Sequence, residues 1–394
     1  LVLLEDKSCQ TVERRPVGRA RGWFAGTLPW VVTAALVCYA ALVLTLALAP
    51  STQRVLVFGN WLQFPFWVDF ADPGSVGLPH ARHVWIPTDD GERLGAWHVL
   101  PAGPAAVAAL ALEDGEAREE AFDVALQAPD APVVLFFHGN SGNRGWPKRR
   151  EIVKLLSALM RAHVVAVDYR GFGDSTGVPS EEGVAEDARA VLRWATSRMG
   201  RRTAARAPPA AGEEGAAGEA EAPGECAPVV PVFLYGQSLG TGVATRLAED
   251  MSRAGRPPLG LVLDAPFTNM TNAAMSHPAG AILRVPVVVS LMPAMLRDRF
   301  PSHERIQGVA SPVLIFHGAL DGMIPVAEGR RLAEYARTGK RARGDDEELA
   351  RYVELPTAGH TDIYSKPMWA VEMQRFTALA ADWQERQEGV CEAS

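Results

Sequence analysis

Short continuous apolar runs alternate with amphipathic segments along most of the chain after residue 80. Each run has the length of a strand and lacks the polar alternation of a half-exposed one, which is typical of strands buried on both faces. The runs lie at residues 132–137, 163–168, 229–235, 259–264, 312–316 and 352–355. Helices are predicted between or after them at residues 150–162, 182–199, 240–247, 327–336 and 367–386. This alternation predicts an α/β fold, a mainly parallel sheet with helices on both faces, in which functional residues gather at the carboxyl ends of the strands.

The pattern opens with a hairpin and is interrupted by three polar insertions. Residues 80–101 alternate apolar and polar positions on both sides of an Asp-Gly turn, which predicts an antiparallel β-hairpin. Residues 102–131 are rich in Ala, Glu and Gly, and one short helix is expected there at 116–126. Residues 200–227 are almost wholly Ala, Gly, Glu, Pro and Arg and are expected to be disordered. Residues 337–350 are interpreted as a charged surface loop.

Residues 28–50 form an uncharged apolar stretch long enough for a helix to cross a bilayer. Several basic residues precede it and only Arg54 follows closely, so the positive-inside rule predicts a cytosolic tail at residues 1–27 and a lumenal or extracellular catalytic domain. Residues 51–79 are interpreted as a juxtamembrane linker. The alternatives are a signal peptide, for which Ala47-Leu48-Ala49 resembles a cleavage site, and a buried core helix. The long preceding segment disfavours the first, and the missing polar face disfavours the second.

A second apolar stretch lies between the sixth and seventh predicted strands. Residues 279–296 carry only Arg284 as a charge, so a second transmembrane helix is an alternative, but Pro286 and Pro293 interrupt it. We interpret residues 269–304 as an apolar cap over the active site. The hydrolase domain as a whole is predicted to span residues 80–388.

Composition narrows the classes of function. The chain is 48% hydrophobic and carries a net charge of −7, so it can bury a large core and lacks the basic bias of a nucleic-acid-binding protein. We therefore expect no nucleic-acid partner. The four cysteines, at positions 9, 38, 226 and 391, have neither paired nor metal-ligand spacing. No disulfide framework, metal or cofactor is expected, and Cys9 is interpreted as an inert thiol, with lipidation as the alternative.

The run at 229–235 leads into Gly236-Gln237-Ser238-Leu239-Gly240, a Gly-x-Ser-x-Gly sequence between a predicted strand and a small-residue helix. In this setting the sequence is typical of a nucleophile elbow, a strained turn that exposes the serine and requires glycine on either side. Ser238 is therefore the candidate nucleophile. A chance occurrence is the alternative, which the flanking strand and helix disfavour.

The turns after the last two strands supply the base and the acid that a serine nucleophile needs. Asp321 follows the strand at 312–316 and His360 follows the last strand, in the chain order Ser, acid, His of α/β hydrolases. We predict that His360 accepts the proton of Ser238 and that Asp321 orients the imidazole. Asp264, at the end of another strand, is the alternative acid. His317, in the same turn as the acid, is assigned a structural role.

The backbone N–H groups of Leu239 and Asn140 are the candidate donors of an oxyanion hole. Leu239 begins the helix after the nucleophile, and Asn140 lies in the loop after the first buried strand. His138 is interpreted as bracing that loop rather than as a metal ligand. A Gly-x-Gly sequence at 171–173 hints at dinucleotide binding, but the residues that follow break the fingerprint.

Several motifs together resemble the membrane-anchored α/β-hydrolase domain 12 family. They fall within residues 80–383, outside the three insertions, and read HGNSGNRG, AVDYRGFGDSTGVPSEEG, YGQSLGTGVATRL, LDAPFTNM with a following SHP, DGMIP and AGHTDIY. The resemblance implies an α/β-hydrolase fold with Ser238, Asp321 and His360 as the triad. It further implies hydrolysis of the acyl ester of a single-chain glycerolipid, lysophosphatidylserine or monoacylglycerol, at the endoplasmic reticulum membrane.

Two other functions stay open at this point. A protein depalmitoylating thioesterase would use the same triad but needs access to cytosolic substrates. A non-catalytic hydrolase-like interaction protein is disfavoured because the triad and oxyanion residues are all present. Asn269-Met270-Thr271 is an N-glycosylation sequon, which fits a lumenal domain.

Overall fold

The computed structural model describes residues 21–112, 115–128, 131–199 and 229–393, so the insertion predicted to be disordered lies outside the described residues. The chain divides after Leu48 into two compact units. The first contains α1 (Arg21–Leu48). Within it, Leu28–Leu48 has 21 residues and a mean hydropathy of 2.5, and it is the one helix among the described residues that is long and apolar enough to cross a membrane.

The second unit is built on an eight-stranded sheet in the order β1-β2-β4-β3-β5-β6-β7-β8. The strands are β1 (Ala81–Pro87), β2 (Arg93–Val99), β3 (Val133–Phe137), β4 (His163–Val167), β5 (Val230–Gln237), β6 (Pro258–Asp264), β7 (Val313–Gly318) and β8 (Ala350–Leu355). β1 and β2 form the predicted antiparallel hairpin, and β3 to β8 pair in parallel. Gly236 at the end of β5 pairs with Phe137 and Leu263 on its two neighbours, so the loops that follow these strands converge on one edge.

Helices cover the sheet between successive strands. Those of the second unit are α2 (Pro50–Phe58), α3 (Pro104–Leu110), α4 (Glu116–Gln127), α5 (Pro147–Leu159), α6 (Glu181–Arg198), α7 (Leu239–Arg253), α8 (Met270–Ser276), α9 (Pro286–Met295), α10 (Ser302–Arg305), α11 (Val326–Arg343) and α12 (Pro367–Ala393). Every residue of β3, β4 and β7 is buried, as expected for strands covered on both faces. The predicted α/β architecture is confirmed.

Residues 51–79, interpreted from the sequence as a juxtamembrane linker, belong to the second unit. Beyond α2, this segment is held by backbone atoms: the N–H groups of Ser141, Gly142 and Asn143 donate to the carbonyls of Phe58, Leu62 and Phe64. Such bonds leave no periodic mark on the sequence, because they do not depend on which side chains are present.

The insertions are more regular than their composition suggests. Residues 102–131 contain the expected helix as α4 and also α3, and Phe122 packs with Leu100 and two alanines of α3 in a small separate core. The prediction of a loop at 337–350 is wrong in its first half, because α11 continues to Arg343 and ends at Gly344 with φ +78°. Arg341 and Arg343 of this extension are exposed, and Arg341 pairs with Glu334 at 2.8 Å, whereas Lys340 is buried.

The cap lies between β6 and β7, as predicted, and comprises α8, a 3-10 turn at Pro278–Leu283, α9 and α10. One buried carboxylate ties its C-terminal end to the start of α6. Glu181 accepts hydrogen bonds from the backbone N–H groups of Arg299 and Phe300, at 2.6 and 2.9 Å, and from the guanidinium of Arg305 at 2.7 Å. The cap is therefore fixed at its base by a fully partnered charge.

We expect Glu181→Gln to lower the free energy of unfolding by about 2–4 kcal/mol, because the amide keeps one acceptor oxygen and turns an NH₂ group toward buried donors. Glu182→Gln is the matched control: its side chain is 75% exposed and pairs with Arg246 at the surface, so a change below about 1 kcal/mol is expected. Thermal unfolding followed by tryptophan fluorescence measures both. Equal melting temperatures for the two variants would contradict the assignment.

Candidate active site

Ser238 occupies a strained turn between β5 and α7. Its backbone has φ 50° and ψ −115°, a region that non-glycine residues rarely adopt. The flanking glycines permit it by close approach: a Cβ at position 240 would lie 2.0 Å from the carbonyl oxygen of Phe137, and one at position 236 would lie 2.4 Å from that of Gly240. The strand, sharp turn and helix predicted around Ser238 are therefore present.

The structure brings Ser238, His360 and Asp321 together from three loops at the same sheet edge. His360 Nε2 lies 2.9 Å from Ser238 Oγ, and His360 Nδ1 lies 2.7 Å from Asp321 Oδ2. With Nδ1 donating to the carboxylate, Nε2 carries the lone pair and can accept the hydroxyl proton. The arrangement can therefore deprotonate a serine during attack on a carbonyl.

Asp321 is held as an anion by its surroundings. Burial opposes its ionisation, but hydrogen bonds from His317 and His360 outweigh that effect and keep the pKa of the carboxyl well below its usual range. The backbone N–H groups of Met323 and Ile324 also donate to Oδ1, at 2.8 and 2.9 Å. His317 is fully buried, 3.3 Å from Asp321 Oδ2 and 3.0 Å from the Ile324 carbonyl, where it fixes the acid turn.

Asp264, the alternative acid, bonds elsewhere. Its Oδ2 accepts a hydrogen bond from the Tyr235 hydroxyl at 2.9 Å, while the imidazole of His360 bonds to Asp321. Burial raises the pKa of Asp264 to about 7, and the Tyr235 hydrogen bond only partly offsets this. Asp264 is thus a buried carboxyl that is largely protonated below neutral pH.

The raised pKa of Asp264 predicts a pH-dependent cost of folding. In the unfolded chain this carboxyl ionises near pH 4, whereas in the folded protein it stays protonated until about pH 7. The stability it contributes is complete below pH 4 and is lost as pH rises through 7. Asp264→Asn removes this titration, so the stability of the variant relative to the wild type should rise between pH 4 and 8, as measured by urea unfolding. A difference independent of pH would contradict the raised pKa.

The loop after β3 (residues 138–143, the oxyanion loop) is gathered around one buried cation. The guanidinium of Arg149 donates to the carbonyls of Gly139 at 2.9 Å, Asn140 at 3.1 Å, Ser141 at 2.7 Å and Asn143 at 3.0 Å. Burial lowers the pKa of Arg149 to about 10, so the group remains charged at neutral pH. Four carbonyls of the oxyanion loop thus point toward a single positive charge.

This arrangement directs one N–H group away from Arg149. In a trans peptide the N–H points opposite to the carbonyl, so the Gly139 carbonyl on Arg149 turns the Asn140 N–H to the other side. Asn140 and Leu239 both line the cavity that contains Ser238. Leu239 is the first residue of α7, so its N–H has no intrahelical acceptor. Both residues thus border the cavity that contains Ser238, and their N–H groups remain the candidate donors of an oxyanion hole.

His138, the first residue of the oxyanion loop, contacts the loop and a neighbouring carboxylate. It is fully buried, with Nδ1 2.6 Å from the Gly139 carbonyl and Nε2 3.1 Å from Asp168 Oδ1. The Tyr169 hydroxyl donates to its carbonyl at 2.8 Å. The Gly-x-Gly turn at 171–173 contacts the segment after α2, because Gln63 Oε1 accepts a hydrogen bond from the N–H of Gly173.

A cavity of about 330 Å³ opens beside Ser238. Its polar residues include Asn140, His277 and His360, and most of its lining is apolar, including Leu56, Val57, Phe267, Met270, Leu283 and Met323. These residues come from α2, from the cap and from the acid turn. The cavity can therefore receive an apolar group next to the candidate nucleophile.

Asn269 of the glycosylation sequon is the N-cap of α8, and its side chain accepts a hydrogen bond from the N–H of Asn272.

Comparisons with known proteins place the chain in a family. The model of the alpha/beta hydrolase family matches residues 134–387. The lysophosphatidylserine lipase ABHD12 of Danio rerio is 32% identical over 333 residues, which is 84% of this chain and 78% of the relative. The chain belongs to the ABHD12 family of alpha/beta hydrolases. Within that family, the human protein ABHD12B is also 32% identical, over 84% of this chain and 80% of its own length.

The wider comparisons agree with this placement. ABHD12 of Gallus gallus is 30% identical over 94% of this chain and 89% of its own length. An esterase from Pyrococcus furiosus has a TM-score of 0.51 at 15% identity, covering 80% of this chain and 96% of that chain, which shows the same fold. The α/β-hydrolase fold and the family predicted from the motifs are confirmed. This member of the ABHD12 family is a carboxylic ester hydrolase.

Two parts of this ABHD12-family site were missed by the sequence analysis. Arg149 could have been found, because it lies three and four residues before Ile152 and Val153 and thus on the buried face of α5. A charge on an apolar helix face signals a buried partner. Leu56 and Val57 gave no comparable signal. No motif in the sequence around them indicates that α2 lies beside the cavity that contains Ser238.

Proposed function

We propose that the chain is a membrane-anchored serine hydrolase that cleaves the acyl ester of a single-chain glycerolipid. One observation carries the proposal: the hydrogen-bonded series Ser238, His360 and Asp321, at 2.9 and 2.7 Å, stands beside a largely apolar cavity. The hydrogen bonds fit acyl transfer, and the apolar lining fits a fatty acyl chain.

In the proposed mechanism, Ser238 Oγ attacks the ester carbonyl while His360 Nε2 takes its proton. The N–H groups of Leu239 and Asn140 stabilise the oxyanion of the tetrahedral intermediate, and Asp321 stabilises the imidazolium. Collapse of the intermediate breaks the bond to the glycerol oxygen, which leaves with the proton from His360. Water then repeats the sequence on the acyl-enzyme and releases the fatty acid.

For the head group, we propose lysophosphatidylserine as the first substrate to test, with monoacylglycerol second. The support comes from relatives, since the family members from Danio rerio and Gallus gallus bear the name lysophosphatidylserine lipase. A single acyl chain also suits a cavity of about 330 Å³ better than two chains would.

The test of this function uses the full-length protein in membranes. The wild type should react covalently with a fluorophosphonate probe, lysophosphatidylserine should compete with the probe, and Ser238→Ala should not be labelled. Fatty acid release is then compared among lysophosphatidylserine, monoacylglycerol and an S-palmitoylated peptide. Faster cleavage of the peptide would make the chain a depalmitoylating thioesterase. Absence of labelling in the folded wild type would refute the serine mechanism.

We also propose that the catalytic unit lies on the lumenal side of the endoplasmic reticulum membrane. The basic residues before α1 and their scarcity after it support this orientation. In sealed microsomes, an epitope after Ser394 should resist protease until detergent is added. Digestion without detergent would place the catalytic unit in the cytosol.

A further inference from the structure

Exposed apolar side chains are concentrated in two short segments of the second unit. More than half of its exposed large hydrophobic residues lie in residues 55–67 and 282–291, and these two sets of side chains are called the rim. Trp67 is 84% exposed, Trp61 68% and Val287 62%. Contiguous apolar exposure of this kind is uncommon on soluble proteins and marks an interaction surface.

Both segments of the rim border the cavity beside Ser238. Leu56 of α2 lines the cavity and is itself 65% exposed, and Leu283 lines it from the cap. The helices α2 and α9, which carry part of the two segments, are also joined to each other, because Gln53 Nε2 donates to the Met295 carbonyl at 2.9 Å. Both segments of the rim therefore lie beside the cavity.

The exposure of the rim is enforced by the fold. The backbone of residues 58–64 is fixed by the hydrogen bonds that Ser141, Gly142 and Asn143 donate to it. On the cap, Val287 and Leu291 stand one turn apart on an exposed face of α9, and the adjacent face buries Val288 and Met292. These side chains face outward although the elements that carry them are well anchored.

The rim is almost without charge. Residues 55–68 contain no charged side chain and residues 278–296 contain only Arg284, in a chain that is 22% charged. Tryptophan and phenylalanine predominate in the first segment, and valine and leucine in the second. Tryptophan beside aliphatic residues is the composition of surfaces that lie at the boundary between water and lipid.

We propose that the rim docks the catalytic unit on the bilayer, so that the cavity opens directly to membrane lipid. The bilayer is the occupant favoured by chain continuity: Ala49 alone separates α2 from α1, the helix that can cross a membrane. A surface tethered in this way meets the membrane at a high effective concentration. The inference rests on the proposed function, since it names the route by which the single-chain lipid reaches Ser238.

The first test locates the rim relative to lipid in the full-length protein. A benzophenone amino acid is placed at position 67 or 287, and at exposed control positions 124 and 371, after reconstitution into phosphatidylcholine vesicles. Irradiation should give phospholipid adducts at 67 and 287 at several times the yield found at the controls. Equal yields at all four positions would overturn the proposal, as would adducts formed at 67 and 287 mainly with another protein chain.

The second test separates docking from catalysis. We expect the double variant Val287→Glu, Leu291→Glu to hydrolyse lysophosphatidylserine in vesicles about tenfold more slowly, because two charges must be kept out of the lipid. Its hydrolysis of p-nitrophenyl butyrate and its fluorophosphonate labelling should stay within about twofold of the wild type, as should both activities of Val371→Glu.

The results of the second test are distinguishable. If the double variant lost activity on both substrates, the substitutions would have damaged the cavity. If it lost activity on neither substrate, the rim would not be used. Either result would overturn the docking proposal. Failure of the proposed function looks different, because the wild type itself would then neither label nor release fatty acid.

Discussion

Asp321→Asn is expected to lower kcat about 10⁴-fold, because the imidazole would lose the acceptor that fixes its tautomer. His360 Nδ1 now donates to a carboxylate oxygen at 2.7 Å, which leaves Nε2 free to accept the proton of Ser238. An amide NH₂ group at that place would favour protonation at Nε2 instead, and the base would be unavailable. The imidazolium formed during attack would also lose its counter-charge.

Asp264→Asn is the matched control for this prediction. Asp264 ends the strand next to Ser238, but its hydrogen bond goes to Tyr235, so kcat should stay within about threefold of the wild type. Both variants are compared on lysophosphatidylserine and in fluorophosphonate labelling at fixed pH, with melting temperatures as the check on folding. If Asp264→Asn were the more damaging of the two, the acid would have to be reassigned to Asp264.

The elements that could be predicted from the sequence are those whose requirements are local. The turn at Ser238 could be predicted because such a strained turn needs glycine at fixed spacing, and positions 236 and 240 have no room for a Cβ. The proximity of Asp321 and His360 to Ser238 could be predicted because parallel strands end at one sheet edge, so the turns that follow β7 and β8 must meet there. The first prediction needed only local backbone geometry, and the second needed only the topology of a parallel sheet.

The features that escaped prediction depend on contacts between distant backbone atoms. The segment after α2 is fixed to the oxyanion loop by donors at positions 141–143 and acceptors at 58, 62 and 64, and such pairs carry no side-chain signature. The extension of α11 was missed for another reason. Its charges resemble those of a solvated loop, although Lys340 is buried against the carbonyls of Val309, Ala310 and Ser311 and Arg343 also donates to the Val309 carbonyl.

Arg149→Met is expected to lower kcat about 100-fold while changing KM by less than about threefold, because the loss falls on the transition state. Without the guanidinium, the Gly139 carbonyl keeps only its contact with His138 Nδ1, and the carbonyls of Asn140 and Ser141 lose this donor, so the peptide group that presents the Asn140 N–H can rotate. A donor displaced by about 1 Å loses most of its value to the oxyanion. Ser238 and His360 make no hydrogen bond with Arg149, so their own geometry should persist.

Two variants make this a test of positioning rather than of folding. Arg149→Lys keeps the charge but cannot reach four carbonyls, so its kcat should lie between those of the wild type and Arg149→Met. Arg150→Met removes the neighbouring guanidinium, whose partner is the Val76 carbonyl, and should leave kcat within about twofold. If Arg149→Met lowered the melting temperature without lowering kcat at a temperature where it is folded, Arg149 would serve stability alone. A fall in kcat with partial rescue by lysine requires that the cation hold the oxyanion loop in its catalytic shape.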